Sequence, residues 1–104
     1  MKQEYLSLLR QAYIAMDTNP EKNNLRSACL KEIHQTYHYL CQQDRGDTAI
    51  CGALSQLLME VKSLERSYGW TLNREEKELL GRIRYLLNSH AADIGNVFLS
   101  FGGI

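Results

Sequence analysis

The stretch from Ile50 to Tyr68 constrains this chain more than any other. Ile50, Leu54, Leu57, Val61, Leu64 and Tyr68 recur at alternating spacings of four and three residues. A helix completes a turn in about 3.6 residues, so these side chains share one stripe of a helix about five turns long. Such a stripe favours near-antiparallel packing against neighbours joined by short loops, the arrangement of a helical bundle.

The rest of the chain supplies the neighbours. Tyr5, Leu9, Ala12 and Met16, with Leu6 and Tyr13 beside them, mark a first helix over about 2–16. The only proline, Pro20, follows Asn19 in a polar cluster, the order of an N-cap and a first helical residue. A second helix is therefore expected from Pro20, or a turn later, to residue 44, with Leu25, Cys29, Ile33, Tyr37 and Leu40 as its apolar face. Arg45-Gly46-Asp47 breaks the pattern: Gly46 suits a left-handed position after a helix, and Asp47 or Thr48 suits the next N-cap. The third helix covers about 48–68 and stops at Gly69. Asn73 and Glu76 have the spacing of a capping box, which opens a fourth helix over about 74–94 with Leu79, Leu80, Ile83, Leu86 and Leu87 inward. His90 falls on the same stripe and is expected to face inward, hydrogen-bonded to a tyrosine or a carbonyl.

These elements predict an all-α fold, an antiparallel up-down four-helix bundle in one domain spanning 1–104, with a short apolar C-terminal tail at 95–104. Ile50, Leu54, Leu57, Val61, Leu64, Leu79, Ile83 and Leu86 are the expected core. At 104 residues, 44% hydrophobic and 23% charged, the chain can close such a core without a metal or disulfides. Three cysteines, Cys29, Cys41 and Cys51, with no CxxC pattern, read as reduced, packed thiols.

Charge and hydropathy then narrow the partners. The 12 basic and 12 acidic side chains cancel, so the basic surplus that neutralises phosphates is missing and nucleic acid is not an expected partner. The longest uncharged run, Thr48 to Met59, falls short of the roughly 20 residues a membrane-spanning helix needs. Glu4 and Arg10 interrupt the apolar region that a signal peptide would carry, which leads us to expect a cytoplasmic protein.

No catalytic constellation emerges. His34, His38 and Cys41 have helical metal-ligand spacing, but all three lie off the apolar face, and Gln35 stands where HExxH chemistry needs glutamate. We expect no metal there. GxSxG, GxGxxG and the P-loop pattern are absent. A small helical enzyme of the chorismate mutase type would need several inward Arg or Lys to hold a dicarboxylate. Here Lys62, Lys77, Arg82 and Arg84 lie outside the apolar stripes, and Arg26 is the one exception. The sequence thus points to no enzyme and no cofactor.

Three surfaces remain as partner-binding candidates. Arg82, Arg84 and Tyr85 lie opposite the core face of the fourth helix, in residue types enriched at interface hot spots. Tyr68 and Trp70 sit at the turn before it, where Trp70 could equally cap the end of the core. From Ile94 to Ile104 the chain carries no charge. Two uses of that tail stand side by side: Val97 and Phe98 folding back over the groove between the third and fourth helices, and Phe98, Leu99, Phe101 and Ile104 meeting a partner or a membrane surface.

The order of parts also resembles a known family. Leu57, Val61 and Leu64, the turn Tyr68 to Thr71, the run Glu75 to Leu87 of the form EExELLxxIxxLL, and Ile94-Gly95 leading into a tail are similar to the immunity proteins of pediocin-like (class IIa) bacteriocins, particularly the enterocin A immunity branch. Asn73 stands where that pattern has Thr or Ser, and the tail is more apolar. The resemblance implies a cytosolic, non-catalytic four-helix bundle, a monomer or weak dimer. It would protect its cell from a pore-forming peptide by engaging, from inside, the membrane-embedded sugar phosphotransferase permease to which the bacteriocin is bound, with peripheral membrane contact. It also implies that the C-terminal half sets which bacteriocin is recognised. The alternative is a cytosolic helical adaptor or regulator that binds another protein.

Overall fold

The structure, a computed structural model, describes residues 2–42 and 46–94, with side chains through His90. Four helices account for nearly all of it: α1 (Lys2–Asp17), α2 (Asn24–Cys41), α3 (Asp47–Tyr68) and α4 (Arg74–Ile94). Each helix packs against two others, α1 on α2 and α4, α3 on α2 and α4, which closes a four-membered ring. Consecutive helices run antiparallel, as their contacts and the residues lining the grooves between them indicate. Lys2 at the start of α1 reaches the Gln42 carbonyl beyond the end of α2, and Tyr5 meets His90 near the end of α4. The fold is the expected all-α four-helix bundle.

The stripes read from the sequence form its interior. Tyr5, Leu9, Ala12 and Met16 of α1, Leu25, Cys29, Ile33 and Leu40 of α2, and Ile50, Leu54, Leu57 and Val61 of α3 are buried in one shared core with Leu79, Leu80, Ile83 and Leu87 of α4. Leu64 and Leu86, expected inside, are only partly buried against that core, and Tyr68 is exposed. The strict four-three stripe drifts round a helix of 3.6 residues per turn, so its ends rotate off the centre line while Cys51 and Leu58 rotate on. Cys41 also departs from the packed-thiol expectation, being exposed, while all three thiols are free.

α2 takes the later of its two expected starts, a turn after Pro20, but with Asn23 rather than Asn19 as its N-cap; the Asn23 side chain accepts from the Arg26 N–H at 2.8 Å. Asn19 instead closes a local turn, accepting from the Glu21 N–H at 2.9 Å. α2 also ends at Cys41 rather than 44. Gly46 is extended, at φ −74°, and serves as the N-cap of α3 instead of a left-handed terminus of α2. Gly69 is the glycine in the left-handed region, at φ 70°, and its N–H donates back to the Glu65 carbonyl at 3.0 Å, ending α3 as expected.

No helix among the described residues is long and apolar enough to cross a membrane.

Candidate functional site

Two charged residues among those described lie in phase with the apolar stripes: Arg26 shares the α2 face with Cys29 and Ile33, and Glu76 shares the α4 face with Leu79, Leu80 and Ile83. Both are buried, and they meet. Arg26 Nε and Nη2 donate to Glu76 Oε2 and Oε1, each at 2.9 Å, a bidentate pair in which both side chains are removed from water. Arg26 Nη1 also donates to the Glu21 carbonyl at 3.1 Å. The Asn73 N–H donates to Glu76 Oε1 and the Glu76 N–H donates to Asn73 Oδ1, both at 2.8 Å, so the expected capping box is present. Burial by itself raises the Glu76 pKa, but the Arg26 hydrogen bond, the Asn73 N–H, the Arg26 charge and the Asn19 side chain together bring it below the ordinary value. With both Glu76 oxygens and all three Arg26 nitrogens engaged by other protein groups, this cluster fastens the first turns of α2 and α4 to each other.

The connection from α3 to α4 places the aromatic candidates. The Leu72 N–H donates to Glu65 Oε2 at 3.0 Å, which turns Leu72 into the core. Leu72 therefore closes this end of the bundle, and Trp70 stands out from it at 52% exposure with Tyr68 nearby at 42%. Tyr85 is the most exposed of the large hydrophobic side chains among the described residues, at 72%. Arg82 and Arg84 do not gather on one face. Two residues apart, they are about 160° apart round the helix, and they line different grooves. Arg82 borders the groove between α1 and α4 with Glu75 and Glu78, whereas the half-buried Arg84 borders that between α3 and α4 with Lys62 and Lys77. Phe98, Leu99, Phe101 and Ile104 lie outside the described residues, as does the question of where the tail rests.

On the opposite side, His34 and His38 are exposed, with ring centroids 4.5 Å apart, and Cys41 is exposed beyond them. No group of three or more His, Cys, Asp or Glu among the described residues could hold a metal ion. His90 is half-buried, as its stripe position predicts, but its partner is the edge or face of a ring: it meets Tyr5 at 5.9 Å in a T-shaped contact. Among the described residues the Tyr5 hydroxyl is buried without a hydrogen-bond partner, so of the two partners expected for His90, a tyrosine or a carbonyl, Tyr5 meets it through ring packing and not through a hydrogen bond.

Sequence reasoning identified Arg26 as inward-facing but missed its partner. The signal was available: Glu76 precedes Leu79, Leu80 and Ile83 by three, four and seven residues, so its capping role and a core-facing position coincide.

No protein-family model matches this chain, and no curated protein or solved structure is significantly similar to it.

Proposed function

We propose that the chain is an immunity protein against a pediocin-like bacteriocin, acting from the cytosolic face on the sugar phosphotransferase permease that carries the bound peptide, and that it has no catalytic activity of its own. The observation that carries this reading is the exposure of Tyr68, Trp70 and Tyr85 in the second half of the chain. Aromatic side chains bring large contact area at low entropy cost and recur at interface hot spots. Of the two grooves that flank α4, the one beside α3 adds Lys62, Lys77 and Arg84 against Glu65, while the one beside α1 sets Arg82 against Glu75 and Glu78. The sequence resemblance supplies the identity of the partner.

Expression in a bacteriocin-sensitive cell tests the proposal directly. The intact chain should confer survival on challenge with one or a few pediocin-like peptides. The triple variant Tyr68→Ser, Trp70→Ser, Tyr85→Ser should lose that protection while keeping its helical circular-dichroism signal, because all three side chains are exposed. Truncation after Asn96 tests the tail in the same assay. Full protection by both variants would remove these surfaces from the mechanism. An adaptor that binds another protein would instead show no survival phenotype with the intact chain.

A further inference from the structure

The cleft between α1 and α2 lies away from these surfaces and has a different chemistry. It is about 240 Å³ and is lined by Leu9, Arg10, Tyr13, Ile33, His34 and Tyr37. Its floor is aliphatic, its walls are aromatic rings, and Arg10 is its one permanently charged residue; no carboxylate lines it.

Arg10 is held in place. Its Nη2 donates to the Tyr37 hydroxyl at 2.9 Å, and its guanidinium carbon lies 6.0 Å from the centroid of the Tyr37 ring. A guanidinium has five N–H donors, and because the Tyr37 oxygen acts as acceptor here, that hydroxyl keeps its own hydrogen to give. The ring walls are likewise packed: Tyr13 and His34 are 6.5 Å apart between centroids, and His34 rests edge-on against His38. A cavity of about 150 Å³ accommodates benzene, so a one-ring ligand fits.

We propose that this cleft binds a small aromatic carboxylate, its charged end held by Arg10 and the Tyr37 hydroxyl and its ring by Leu9, Ile33, Tyr13 and His34. The two grooves that flank α4 lack this combination. The one between α1 and α4 sets Glu75 and Glu78 beside Arg82, and the one between α3 and α4 has no aromatic ring in its lining. The assignment does not depend on the immunity function, since it involves only α1 and α2.

Phenylacetate is the probe, with phenylacetamide as the uncharged isostere and acetate as the ringless anion, each titrated into the full chain while amide chemical shifts are recorded. Phenylacetate should give saturable shifts in the segments 9–13 and 33–37, with a Kd of about a few millimolar or tighter, the range for a ligand of so few atoms. Phenylacetamide and acetate should bind at least about tenfold more weakly, since charge-assisted hydrogen bonds and ring packing are each lost in turn. Arg10→Gln should weaken phenylacetate binding about tenfold or more, and Tyr37→Phe about threefold to tenfold. Arg10 is exposed and Tyr37→Phe keeps the ring, so both variants should retain the native amide spectrum. Shifts that fail to saturate, equal affinity for phenylacetamide, or unchanged affinity in Arg10→Gln would each overturn the assignment.

Discussion

The two ends of the bundle bury polar groups on opposite terms. At the end formed by the 18–23 and 69–73 connections, Arg26 and Glu76 are both charged and both buried, and each is paired with the other and with backbone groups. At the other end the Tyr5 side chain is fully buried and its hydroxyl has no partner. Burial, then the neighbouring Cys51, Glu4 and Asp47, push its pKa upward, so it stays a neutral phenol. An ionised group cannot be left alone in a low-dielectric interior, whereas a hydroxyl can, at a cost of about 1–3 kcal/mol. Charge thus fixes the geometry at one end, while at the other apolar packing around the Tyr5 ring holds a polar atom in place.

Removing one partner of the ion pair is the largest perturbation. Glu76→Gln should cost about 3–5 kcal/mol, because it leaves the Arg26 charge buried without its counterion. Denaturant titration measures it, and a loss under about 1 kcal/mol would mean that the pair is hydrated in solution. The double variant Arg26→Met, Glu76→Leu should recover most of that loss, which would show that the end needs matched partners rather than charge as such.

Protonation perturbs the same group more gently. The folded pKa of Glu76 lies below its unfolded value, so in acid the unfolded chain binds the extra proton and stability falls as pH falls. The contribution should be complete above about pH 5 and decline below about pH 4.3, a slope that Glu76→Gln should reduce in a pH series of denaturant titrations. Asn73→Ala comes next, at about 0.5–2 kcal/mol for a lost N-cap, and Asn23→Ala should fall in the same range because it removes the side-chain cap of α2. Tyr5→Phe should be the smallest. Deleting an unpartnered hydroxyl should leave stability unchanged or raise it by up to about 1 kcal/mol, and a loss larger than that would mean that the hydroxyl is hydrogen-bonded in solution.

The same contrast explains which parts of the molecule were legible in the sequence. Apolar stripes and glycine signals depend on local spacing, so four helices, the Gly69 terminus and the Asn73–Glu76 capping box could all be read directly. The start of α2 was harder, because Asn19 and Asn23 are both sound caps and only the packing of Arg26 chooses between them. Trp70 and Leu72 compete for the same end of the core, and Glu65, a residue with no obvious reason to matter, decides it through the Leu72 N–H. The Arg26–Glu76 bond spans 50 positions in the chain, and no local pattern reports such a distance. The α1–α2 cleft escaped notice for a similar reason: Arg10 and Tyr37 are unremarkable on their own helices, and only the pairing of those helices brings them together.

Glu76 accepts with one oxygen from the Asn73 N–H at the start of its own helix and with both from an arginine 50 residues away. A capping box in a peptide forms by itself, but this one closes around a carboxylate that must leave water to reach its position. The first turns of α2 and α4 should therefore consolidate in a single kinetic step, with the ion pair as the long-range contact that couples two otherwise local events. Substitutions at Arg26 and at Asn73 should then shift the refolding rate in the same direction, and fragments ending before Asn73 should lack a settled beginning to α2.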